Sequence, residues 1–149
     1  MKVRIFDVEK IITRDKISGN QNGVFLPIWR DWDSKYNSHP QMAYIATIPV
    51  GEMKGPHLHK IRTGYITTIS GKLLFILNVN GKFTEIEVDS ISPKTIEVLP
   101  GVGLVTINIG NTTGTILNLC YPAWHPENQD NYVADFSSYD FSKWLKVIK

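Results

Sequence analysis

The chain has 149 residues, 42% hydrophobic and 20% charged, with a formal charge of +2. That length suits one compact domain spanning 1–149. The small, dispersed charge argues against a nucleic-acid surface, and no apolar run approaches the ~18 residues of a membrane-spanning helix. The N-terminal MKVRIFDVEK lacks a continuous apolar stretch, and the single cysteine, Cys120, lies in the apolar run TILNLCY, where a buried structural thiol is expected. The absence of disulfides and of a leader points to the cytoplasm.

In chain order, nine segments alternate or are rich in β-branched and aromatic residues: VRIFDV, GVFLPIW, MAYIATIPV, TGYITTI, KLLFILNV, KFTEIEV, KTIEVL, GLVTINI and TILNLCY. Short strands at this spacing predict an all-β sandwich or barrel. Asn80-Gly81 between LLFILNV and KFTEIEV is a two-residue hairpin signal. Breaks are expected at 19–23, 49–56, 70–71, 100–103 and 110–114. The segment NQNGVFLPIWRDWDSKYNSHPQ reads as a long excursion that packs on another surface, such as a second subunit. Trp29, Trp32 and Trp124 are read as core or interface rather than as stacking platforms. Only 137–149 reads helical, with Phe141, Trp144, Leu145 and Ile148 on one face and Ser138 or Asp140 as the cap; this helix is expected to close the barrel.

The segment GEMKGPHLHKIRTGYITTISG carries the chemistry. Side chains two apart on a strand share a face, so His57 and His59 are expected to look into one interior. Gly51, His57-x-His59, Gly64 and Gly71 resemble the first motif of the cupin superfamily in every spacing. The resemblance implies a cupin jelly-roll β-barrel with a short C-terminal helix. In that family two histidines, a glutamate and a later histidine bind metal. This chain has Gly64 at the glutamate position and Leu104, in LPGVGLVTINIGN, at the last histidine. Two imidazoles hold a divalent ion weakly, so the site is read as metal-free and without a cofactor, even with His125 available as a third ligand. The same departures argue against a metal-dependent isomerase or oxygenase.

KGPHLHK resembles the Arg-Gly-x-His-x-His-Lys string of sugar 3,4-ketoisomerases, NQNGVF the entry string of 3,5-epimerases, and CYPAWHPENQDNYVADF the Tyr-rich stretch after their last strand. The likeness implies a nucleotide-sugar epimerase acting on a dTDP-4-keto-6-deoxy sugar by proton abstraction next to the ketone. A dTDP-4-keto-6-deoxyhexose 3,4-ketoisomerase and a non-catalytic sugar-binding cupin are the alternatives. It assigns His57 as base, His59 or Lys60 to steady the enolate oxygen, and Tyr121 or Tyr44 to return the proton. Asn22 stands where the family has a diphosphate-binding arginine, which leaves Lys54, Lys60, Arg62 or Lys72 for the phosphates. It also implies a homodimer, because an N-terminal strand of such proteins commonly completes a neighbour's sheet and a bare edge strand is a liability.

Overall fold

A computed structural model describes residues 3–33 and 35–144. Twelve strands follow one another: β1 (Ile5–Asp7), β2 (Ile11–Arg14), β3 (Gln21–Phe25), β4 (Met42–Ile48), β5 (Met53–Leu58), β6 (Thr63–Ser70), β7 (Lys72–Val79), β8 (Lys82–Asp89), β9 (Lys94–Val98), β10 (Gly103–Asn108), β11 (Gly114–Tyr121) and β12 (Tyr132–Val133). They form two five-stranded sheets, β1-β9-β6-β11-β4 and β12-β5-β10-β7-β8, and a separate β2-β3 hairpin; every strand pair is antiparallel. The all-β expectation holds.

The core lies between the sheets. Leu73, Phe75 and Leu77 of β7 and Leu104 of β10 meet Ile66, Ile96 and Ile116 of the opposite sheet. The other face of the second sheet is also covered: Leu74, Ile76, Val105 and Ile107 pack against Ala134 and Phe136, flanked by Tyr139, Phe141 and Trp144. A strand covered on both sides has no polar phase, which explains the unbroken apolar run LLFIL within KLLFILNV. The Asn80-Gly81 turn forms as expected, with φ of 52° and 84° at its two residues and Val79 paired to Lys82.

Three strands fall outside the expected nine. β2, four residues, and β12, two, lie outside the segments read as strands. β5 runs through 53–58, where Gly55 and Pro56 suggested a break. Both residues are accommodated because β5 bulges against β10: Leu104 faces His57 while Thr106 faces Lys54, so three steps on β5 match two on β10. Gly55 has φ +98°, and a Cβ there would stand 2.4 Å from the Leu104 carbonyl oxygen, so the bulge requires glycine.

The C-terminal segment also differs from expectation. Among the described residues only 142–144 are helical, with the Asp140 carboxylate accepting the Ser142 N–H at 2.9 Å. The segment lies on the outer face of the second sheet and does not close the barrel, because Leu74 and Ile76 need cover there. Leu145 and Ile148 lie outside the described residues. The long excursion packs partly on its own chain: Tyr36 stacks on Tyr65 with ring centroids 4.2 Å apart, and the Lys35 carbonyl accepts Arg4 at 2.8 Å. Trp32 stays 72% exposed. No helix among the described residues is long and apolar enough to cross a membrane.

Candidate active site

Between the sheets, at one end of the core, a cavity of about 200 Å³ opens to the surface. Its walls come from both sheets. β4 and β11 alternate strictly, which turns Tyr44, Ala46 and Ile48, and Ile116 and Asn118, inward. From the second sheet come Lys54, His57, Leu104 and Thr106, and the connection after β5 adds His59 and Arg62. Ile48, Ile66, Val98, Val102, Leu104 and Ile116 make the remainder apolar.

The bulge decides who reaches the cavity. In a regular strand Lys54 and His57, three apart, would point to opposite faces; the extra residue at Gly55 brings both to the same side. The rings of His57 and His59 lie 5.7 Å apart between centroids. Burial, with the nearby His59, Arg62 and Lys54 charges, holds the His57 imidazolium below its usual pKa. His57 is therefore neutral at physiological pH, with a lone pair to accept a proton.

His59 is oriented from behind. Its Nδ1 contacts the Asp130 carbonyl oxygen, which only accepts, so Nδ1 carries a proton. The Asp130 carboxylate accepts the backbone N–H groups of Lys60 at 2.7 Å and of Ile61 and Arg62 at 3.0 Å each. Burial would raise this carboxyl, but the three donors outweigh it and keep it below the ordinary carboxylate range. One residue of the C-terminal stretch thus fixes the whole turn that carries His59 and Arg62.

Across the cavity, Asn118 Nδ2 donates to Tyr44 Oη at 2.8 Å. With its oxygen already accepting, Tyr44 has its own O–H to give. Asn118 also fills the space beside Gly64, where an added Cβ would stand 3.0 Å from its Oδ1. An amide thus fills the space beside the glycine that stands at the motif's glutamate position, and Leu104 faces His57 directly from β10. Among the described residues, no three His, Cys, Asp or Glu side chains converge as a metal site.

Of the residues singled out from sequence, Tyr44, Lys54, His57, His59 and Arg62 meet in this cavity. Three lie elsewhere. Lys60 is exposed with its ammonium 4.1 Å from the centre of the Tyr132 ring. Lys72 sits at a separate surface depression beside Asp89 and Gly110, 3.9 Å from Glu87. Tyr121 follows inward Cys120 on β11 and so faces away, 42% exposed. His125 belongs to a loop where its Nδ1 accepts the Glu127 N–H at 3.3 Å, beside Trp124 in a smaller cleft. Sequence reasoning missed Asn118 and Asp130. A polar residue at an inward position of alternating TILNLCY is a signal for the first; nothing local marks the second.

Two antiparallel sheets closing on a histidine-lined cavity define a cupin-type barrel. Residues 1–144 match the family described as FdtA: WxcM-like, C-terminal, and the chain belongs to that family. No curated protein sequence matches the chain. Among solved structures, the chain is similar to a dTDP sugar isomerase from Desulfovibrio desulfuricans G20, with TM-score 0.76 at 14% identity over 89% of this chain and 83% of that one. It is similar to QdtA, a sugar 3,4-ketoisomerase from Thermoanaerobacterium thermosaccharolyticum solved with TDP, with TM-score 0.68 at 18% identity over 92% and 90%. It is also similar to ChmJ, a 3'-monoepimerase from Streptomyces bikiniensis solved with dTDP-quinovose, with TM-score 0.71 at 13% identity over 96% and 72%. At these identities the likeness establishes the shared fold.

Proposed function

We propose that the chain is a nucleotide-sugar epimerase that enolises a dTDP-4-keto-6-deoxy sugar. The observation that carries this reading is the cavity's two-sided chemistry: a neutral histidine on one sheet and a tyrosine hydroxyl on the other. Inversion at a carbon next to a ketone requires a base on one face of the ring and an acid on the opposite face. His57 removes the proton, and Tyr44 supplies one from across the cavity. The ligands of QdtA and ChmJ, TDP and dTDP-quinovose, support the substrate class.

The cavity is smaller than the roughly 300–1,000 Å³ of sites that enclose drug-sized ligands. It takes the sugar ring and leaves the nucleotide at the mouth, where exposed Lys54 meets the diphosphate. The apolar wall of Ile48, Ile66 and Ile116 suits a sugar methyl group. A hydroxymethyl placed there would bury a hydroxyl without a partner, at a cost of about 1–3 kcal/mol. Turnover of the 6-deoxy sugar is therefore expected to exceed that of its 6-hydroxy counterpart by about 10- to 100-fold in kcat/KM. Product coupling constants measured by NMR identify an inverted carbon, and a shifted carbonyl instead would favour the 3,4-ketoisomerase.

A homodimer is part of the same proposal. Among the described residues the β2-β3 hairpin pairs with no other strand, and Ile12, Val24 and Phe25 on it are each more than half exposed. β4 is an edge strand with Ile45 62% exposed. Paired edges and covered apolar surface in a second copy would resolve both. Light scattering after gel filtration should give twice the 16.9 kDa chain mass, and replacing Val24 and Phe25 by Ser should give the monomer.

A further inference from the structure

Enolisation places negative charge on the ketone oxygen, which calls for an untied cation, and both groups suggested from sequence for that oxygen are tied elsewhere. Lys60 directs its ammonium over Tyr132, outside the cavity. His59 is tied through Nδ1–H to the Asp130 carbonyl. Arg62 has the missing property. It is 8% exposed, lines the cavity, and is anchored through its N–H to Asp130 at 3.0 Å. Among the described residues no carboxylate pairs with its guanidinium. A guanidinium remains charged throughout the physiological range, and a buried cation without a counter-charge is an unstable arrangement unless a ligand completes it.

Its position decides what that ligand group is. Arg62, buried, and Lys54, exposed, line the same cavity as His57, so the buried cation belongs to its interior and the exposed one to its mouth. The diphosphate, attached to the outward end of the sugar, has exposed Lys54 at the mouth. We propose that Arg62 is a catalytic residue that binds the ketone oxygen of the sugar and carries its charge in the enolate. This rests on the epimerase reading above. As His57 takes the proton, the C–H electron pair becomes the C=C bond and the carbonyl π pair moves to the oxygen held by Arg62. Tyr44 then protonates the carbon from the other face, the C=O bond re-forms, and Tyr44 recovers a proton from solvent as His57 releases its own.

The test compares wild type with Arg62→Met and Arg62→Gln, and with Arg62→Lys as the conservative variant, after thermal melts confirm folding. Two quantities are read: dTDP affinity by calorimetry, and solvent-deuterium exchange of the sugar ring protons. The expected result is dTDP affinity within about threefold of wild type in all variants. The exchange kcat falls about 10²- to 10³-fold in the neutral variants with KM little changed, and recovers partly in Arg62→Lys. Weakened dTDP binding with wild-type exchange from bound substrate would overturn the proposal and place the guanidinium on the diphosphate. Absence of exchange in the wild-type enzyme would overturn the epimerase reading itself, a different failure.

Discussion

His57→Asn is expected to lose ring-proton exchange by about 10³-fold while keeping the fold and the affinity for dTDP. General-base groups typically contribute about 10²–10⁴-fold, and His57, the proposed base, lines the cavity with no side-chain hydrogen-bond partner to lose among the described residues. Asparagine fills similar space and cannot take up a proton near neutrality. The pH profile separates the base from a binding role. The groups facing His57 are His59, Arg62 and Lys54, all of which, with burial, push its pKa down from 6.5. The active form is the neutral ring, so activity is full above the lowered pKa and falls as pH drops through it. The acid limb of kcat/KM should lie below pH 6.5, the ordinary histidine value. A limb well above that would assign the proton to another group.

The second large effect is expected at Asp130, and it is one of stability as well as chemistry. Asp130→Ala removes one carboxylate and leaves three backbone N–H groups, on Lys60, Ile61 and Arg62, without an acceptor. Hydrogen bonds to a charged acceptor contribute about 1.5–3 kcal/mol each, and they act here as one unit, so a loss of about 3–5 kcal/mol is reasonable. For a chain of this size that lowers the melting temperature by about 10 °C. Exchange should fall too, because the turn that carries His59 and Arg62 loses its anchor. The linkage has a definite sign: a carboxyl whose folded pKa is depressed stabilises the fold above its unfolded pKa, near 3.9, and that contribution fades as pH falls through the lower folded value. A melting temperature within 2–3 °C of wild type would show that the turn holds without its carboxylate.

These two residues also mark what a sequence can and cannot reveal. The histidine pair was legible because its spacing is local: the cupin-like string fixes both residues within three positions of one strand end. The barrel was legible for the same reason, since alternation in β4 and β11 and the unbroken run of β7 each report their own burial. β5 was hidden by Gly55 and Pro56, which mark a break in most contexts and here mark a bulge. That bulge also decides between lysines: Lys54 enters the cavity and Lys60, beside the motif, does not. Tyr44 and Tyr121 looked equivalent until the phase of β11 turned the latter outward. Asp130 lies 70 positions from the turn it organises, and no local pattern can encode that distance.

The central claim is that this cavity enolises a 4-keto sugar, and hydrogen exchange tests it most directly. Incubating the wild-type protein with dTDP-4-keto-6-deoxyglucose in deuterated water and following the ring protons by NMR should show loss of the signal next to the ketone, at C3 or at C3 and C5. That loss should vanish in His57→Asn. Full retention of every ring proton, with the ligand shown to be bound, would contradict the account and leave a sugar-binding protein without catalysis.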